Sequence, residues 1–326
     1  MRKFLLVTAL CTFTAEAAAV TVKHFAGETQ LPAPAKRVVA LGPHALDLLL
    51  SLGVQPVGYG EAAQLGVTNY GSPIRQIRYL GSRVTSNPVN VGDRFKPNLE
   101  VVASLKPDLI MGENYAQEAY PVLSKIAPTV LFEGIHTGDW QKTLPVLAKA
   151  LGREKQAAAV IKRHEQVIAQ GRSSLPASLR GKKALVVWNA GGANKDLFTV
   201  LGPNDWTGGF FQSLGFKLDL LGAQDSSLGE GYRKVGSEGL SASKADVIFV
   251  IASSKNTVAQ TRKDWQANAL AQRLPAARKG QVYFLDIQLF GRIHGPIAEE
   301  LMVRELARQL RAFDRKSVAF LSERSE

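Results

Sequence analysis

The sequence predicts an α/β protein of two Rossmann-like lobes with mostly parallel sheets, joined by one long α-helix, with a ligand cleft between the lobes. Three observations predict it. Short apolar runs rich in β-branched residues alternate with helical patterns along the chain, the mark of strand–helix–strand units. One uninterrupted helical stretch, residues 153–175, divides that alternation into halves. The halves also echo each other. Glu100, Lys106, Asp108 and the strand LIM (109–111) recur as Glu238, Lys244, Asp246 and VIF (247–249) at the same offsets, each unit downstream of a helix ending in SLG. Ligands of open α/β sheets bind beyond the carboxyl ends of the strands, so two such lobes would share a cleft.

The elements follow in order. Residues 1–19 read as an export leader: Arg2 and Lys3, the apolar run Phe4 to Leu10, then the small-residue stretch AEAAA, with cleavage after Ala17 or Ala19. The apolar run is too short to span a bilayer. Cys11 is the only cysteine and lies inside the leader, preceded by Leu10 where a lipoprotein anchor wants a small residue. The mature chain is therefore expected to be a thiol-free, soluble, periplasmic monomer.

The first lobe spans 36–152. It opens with the strand RVVALG (37–42) and the helix GPHALDLLLSLG (42–53), with Gly42 at the cap, Pro43 in the first turn and Gly53 at the stop. VQPVGYG (54–60) is a strand, and 61–90 is loop. Residues 97–112 and 117–134 each read as helix then strand, and 139–152 as a helix capped by Asp139. The linker helix 153–175 leads into a second lobe over 180–312. There KKALVVW (182–188) is a strand, WTGGFFQSLGF (206–216) a helix, 237–252 helix then strand, QVYFLD (281–286) a strand, and PIAEELMVRELARQL (296–310) an amphipathic closing helix. Residues 313–326 read as a charged tail.

Several function classes find no support. A net charge of +12, one less without the leader, attracts anions in general, but the basic residues are scattered and an export signal argues against nucleic acid. NAGGAN (189–194) is not a dinucleotide fingerprint, and neither a Walker sequence nor a GxSxG elbow is present. The histidines stand at long intervals without HxH or HxxxH spacing, so no protein-built metal site is expected.

The candidate ligand-binding residues lie at strand ends: His44, Arg94, Asn114, Tyr115, Trp188, Trp206, Arg292 and His294. Arginines near helix N-termini favour a carboxylate or similar oxyanion. The blander readings are local ion pairs for the arginines and core packing for the tryptophans.

VGDRFKPNLEVVASLKPDLIMG (91–112), KIAPTVLF (125–132), GREKQAAAVIKRHEQ (152–166) and VYFLDIQLFGRIHGPIAEEL (282–301) resemble the ferric-siderophore-binding and ferric-citrate-binding proteins of ABC importers. The resemblance implies a shallow, rather rigid cleft that takes an iron(III) chelate as transported ligand, with no intrinsic cofactor, and an inner-membrane permease as partner. Arg94 falls on its ligand-contacting arginine and Arg292 on an arginine near the final helix, and His294 stands where many relatives carry another arginine. The loop at 61–90 is longer than the resemblance leads one to expect. Glu100 and Glu238 match the glutamates, one per lobe, that dock on the permease. Tyr115, Trp188 and Trp206 would form aromatic walls. Haem or a cobalamin is the alternative ligand, with His44, His136, His294 or Tyr115 approaching its metal. A secreted two-lobed enzyme is the alternative from another class.

Overall fold

The computed structural model describes residues 19–222, 231–253 and 256–323; the expected leader, Ala19 apart, lies outside the described residues. The described chain begins with an antiparallel hairpin of β1 (Val20–His24) and β2 (Gly27–Leu31). Its turn reaches the first lobe, where Phe25 N–H donates to the Leu131 carbonyl at 2.8 Å.

The first sheet contains β3 (Val38–Leu41), β4 (Gly58–Glu61), β5 (Val89–Asp93), β6 (Leu109–Glu113) and β7 (Thr129–Phe132). Its spatial order is β5-β4-β3-β6-β7 and every pairing is parallel. Strands β3, β6 and β7 are buried along their whole length, because crossover helices cover both faces of a parallel sheet. The helix Pro43–Ser51 starts and stops as expected, with Gly42 as N-cap and Gly53 at φ 73° after its end. The strand expected over 54–60 begins only at Gly58, since Pro56 interrupts the run before it.

Two features differ from the sequence reading. β5 is unexpected, because VNVGD is half-exposed and ends in turn residues, so its pattern looks like loop. Asp139 is not a cap. Gly138, left-handed at φ 84°, occupies that position, and the Asp139 carboxylate instead accepts the His136 N–H at 2.9 Å.

The linker helix Glu154–Ser173 is 20 residues, about 30 Å, long. The second sheet follows with β8 (Lys183–Gly191), β9 (Asn194–Leu201), β10 (Lys217–Leu218), β11 (Tyr232–Gly236), β12 (Val247–Ala252) and β13 (Val282–Asp286). Its main order is β11-β9-β8-β12-β13, with β10 also on β8; β8, β12 and β13 are parallel, whereas β9 runs antiparallel to β8 and β11. NAGGAN is thus the turn of the β8–β9 hairpin, with Gly191 and Gly192 both at positive φ. The closing helix Pro296–Glu323 packs against the linker helix and Pro43–Ser51, and continues helical through most of the segment expected as a tail.

The lobes are stitched together at several points. Thr137 N–H donates to the Asn204 carbonyl and Trp206 N–H to the Ile135 carbonyl, both at 3.0 Å. The long loop after β4 reaches across the molecule, where Arg78 and the Tyr79 hydroxyl both bond Asp286 at the end of β13. Asp47 accepts the N–H groups of Ile297 (3.1 Å) and Ala298 (2.8 Å), so a first-lobe helix caps the closing helix. One hydrophobic core runs continuously from Val38 through Trp140 and Phe211 to Ile251.

Candidate functional site

The order of the first sheet reverses between β3 and β6: successive strands are added on one side of β3, then on the other. Loops leaving such a pair diverge and open a crevice at their carboxyl ends. His44 follows β3, and Glu113 ends β6. Their side chains meet, His44 Nδ1 lying 3.2 Å from Glu113 Oε1, and both are buried. The fit requires a glycine at 134, where a Cβ would sit 2.3 Å from His44 Nδ1 and 2.7 Å from Glu113 Oε1.

Arg94, just past β5, places Nη1 3.3 Å from the other Glu113 oxygen. Its guanidinium also lies over the rings of Phe95 (4.7 Å) and Tyr115 (5.2 Å). Burial alone would raise the Glu113 carboxyl, but the close approach of the His294 and His44 rings, with the charge of Arg94, holds it well below the usual carboxylate range. Burial lowers the pKa of the His44 imidazole, against the pull of Glu113.

The second lobe contributes from the segment after β13. Arg292 Nη2 donates to Glu61 Oε1 at 2.9 Å, across the lobe boundary. Glu61, the last residue of β4, is fixed by the Tyr59 hydroxyl at 2.7 Å, by the Ala62 N–H at 2.7 Å and by Gln288 Nε2 at 3.4 Å. His294, in a left-handed conformation at φ 59°, packs its ring against Trp206 at 4.8 Å and brings Nδ1 to 3.8 Å from Glu113 Oε1. Asp205 caps the helix Trp206–Ser213 by accepting the N–H groups of Thr207 and Gly208; burial pushes its carboxyl up to about 6.

The structure therefore brings together His44, Arg94, Arg292, His294 and Trp206, and puts Asn114 and Tyr115 beside them. Tyr115 is exposed and edge-on to Phe95. Trp188 lies on β8, within van der Waals reach of position 291. Trp206 departs from its expected place as a cleft wall: it is only 2% exposed and supports His294 from behind. His136 points elsewhere, pairing with Asp139 at 3.4 Å. Glu100 and Glu238 are exposed in the first turns of matching short helices, Leu99–Ser104 and Ser237–Leu240.

Two residues were not singled out by the sequence, Glu61 and Glu113. They turn the expected open arginines into arginines oriented by acids. The signal was an acidic residue directly after an apolar strand, in GYGE and LIMGE, which passes for the strand's polar end.

Residues 38–289 match the family described as periplasmic binding protein. The chain is 29% identical over 288 residues to the Fe(3+)-citrate-binding protein YfmC of Bacillus subtilis, covering 87% of this chain and 84% of that protein. It is 27% identical to the Fe(3+) dicitrate-binding periplasmic protein FecB of Escherichia coli, covering 90% and 91%. Among solved structures, SirA of Staphylococcus aureus complexed with staphyloferrin B superposes with a TM-score of 0.73 at 28% identity, covering 90% of this chain and 98% of that one.

Proposed function

This chain belongs to the periplasmic binding protein family, and from that membership we propose that it captures an iron(III) chelate of the ferric-citrate or siderophore type and delivers it to an inner-membrane ABC permease. The observation that carries this reading is the pair Arg94 and Arg292, one from each lobe, each held by a buried glutamate at the carboxyl end of a first-sheet strand. Each guanidinium has five N–H donors, and one buried glutamate beside each occupies only part of that set. What remains suits the carboxylate oxygens of an anionic chelate, while the chelator itself holds the iron. Haem or a corrinoid finds no open imidazole in the cluster, because both His44 and His294 are buried; Tyr115 is its exposed candidate ligand there.

The test is a titration of ligand-free protein with ferric citrate and ferric hydroxamates. A charge-assisted hydrogen bond contributes roughly 1.5–3 kcal/mol, so Arg94→Ala and Arg292→Ala should each weaken binding about 10- to 150-fold. Undiminished affinity in both variants for a chelate that the parent binds defeats the reading.

Delivery has its own residues in this proposal. Glu100 and Glu238 are exposed and occupy equivalent positions in the two lobes, so a permease could engage both at once. Single exposed ion pairs contribute under about 1 kcal/mol, so the effect should fall on orientation and encounter. The double variant Glu100→Ala/Glu238→Ala is expected to keep chelate affinity and melting temperature yet lose most uptake in cells. Normal uptake would remove the docking role.

Export completes the proposal. Residues 1–19 serve as the leader, and the mature monomer starts near Ala18 or Val20. N-terminal sequencing of exported protein checks this, and lipid-modified Cys11 at the terminus would overturn it. Among the described residues, no helix is long and apolar enough to cross a membrane.

A further inference from the structure

His44, Glu113 and His294 stand 69 and 181 residues apart in sequence, yet each offers a ligand atom within 4.8 Å of the others. We propose that these three side chains form a site for one borderline divalent cation, of the zinc or cobalt(II) type, held across the two lobes. The site is separate from the iron of the transported chelate, which arrives with its own ligands.

The donor set selects the ion class. Two imidazoles and one carboxylate suit zinc and its first-row neighbours, whereas calcium and magnesium prefer all-oxygen shells. Spacing is close to what coordination needs. A tetrahedral ion with bonds of about 2.0–2.1 Å places its ligand atoms about 3.3 Å apart. His44 Nδ1 and His294 Nδ1 lie 3.2 and 3.8 Å from Glu113 Oε1.

A second observation is independent of that geometry. His294 Nδ1 is a buried nitrogen without a hydrogen-bond partner among the described residues. Buried polar atoms are normally satisfied, and leaving one unmet costs about 1–3 kcal/mol. Bringing His294 onto a cation would give Nδ1 the partner it lacks. The surroundings also fix the ligands: Phe132 packs edge-on to His44 at 5.0 Å, Trp206 lies against His294, and Arg94 holds the second oxygen of Glu113. Three protein ligands would leave a fourth position for water or an anion.

The ion would join a residue of the second lobe to two of the first. Untagged, chelator-washed protein titrated with Co2+ should bind one ion per chain, develop the visible absorption of a four-coordinate site, and release Co2+ to Zn2+. Zn2+ should also raise its melting temperature. His294→Asn, which tolerates the positive φ there, should bind Co2+ at least 10-fold more weakly and lose the Zn2+-dependent rise. His294→Gln gives a second reading should that variant melt early. His136→Ala, a control at a histidine outside the cluster, should behave as the parent. Failure of the parent to bind Co2+, or undiminished binding by either folded His294 variant, overturns the site whatever the result with ferric chelates.

Discussion

Buried carboxylates at the lobe boundary do opposite things according to their partners. Glu113 faces an arginine and two histidines and stays ionised; Asp47 faces two backbone N–H groups in a fully buried position, and desolvation raises its carboxyl to about 8. An unfolded aspartate releases its proton near pH 3.9. Between those limits the native state binds more protons than the unfolded one, so this residue's contribution to stability falls as pH rises through the window. Asp47→Asn keeps one of the two acceptor oxygens and cannot titrate. Its melting temperature should start below the parent's at pH 5 and gain on it steadily toward pH 8, a relative change on the order of a few kcal/mol. A gap that stays constant with pH would show that Asp47 is ionised throughout. At this scale the sequence was legible where residues sat beside or near glycine or proline in segments that follow strands, as His44 after Pro43, Arg292 after Gly291 and Arg94 two positions past Gly92 do. It was silent on Glu61 and Glu113, because nothing local distinguishes an acid that will meet an arginine 231 or 19 residues away.

The repeated units show what an element-level echo is for. Asp108 accepts the N–H groups of Lys36 and Arg37 at 2.8 and 2.7 Å, at the entry to β3; Asp246 accepts the Lys183 N–H at 3.0 Å, at the entry to β8. Each aspartate also donates its own N–H into that entry strand, to the carbonyls of Arg37 and Lys183. The repeated Asp is therefore a clamp that sets where a lobe's first strand begins, a role the offsets alone did not reveal. β5 and β9 were illegible for a different reason: they are partly exposed strands whose pairing partners, not their own patterns, hold them in the sheet. The helix Trp206–Ser213 was legible, but its two glycines gain meaning only in three dimensions. A Cβ at Gly208 would lie 1.9 Å from the Gly202 carbonyl oxygen, and one at Gly209 the same distance from Thr137 Oγ1 in the other lobe. Gly209→Ala should thus cost about 1–3 kcal/mol, seen as a lower denaturant midpoint. A wild-type midpoint would mean that the lobe seam yields freely there.

Across the whole molecule, contacts on both sides of the cleft limit how far the lobes can swing. Thr137 bonds the segment before Trp206 on one side, Arg78 and Tyr79 hold Asp286 on another, and the closing helix lies against both the linker helix and the first lobe. Large hinge motion would break packing or hydrogen bonds at each point. Small-angle scattering with and without a bound ferric chelate should give radii of gyration that agree within about 1 Å; a contraction of several ångströms would show that these contacts open in the free protein. The cap that Asp47 places on Ala298 spans 251 positions of sequence. It carries a consequence for the order in which the chain acquires structure. The helix bearing His44 cannot be completed against its neighbours until the last helix has emerged, so a chain still being made lacks part of its first lobe. Contacts so distant along the chain close late and slow the final step. Under the export proposed above, such lateness would be useful: the growing chain would stay pliable until all of it is through.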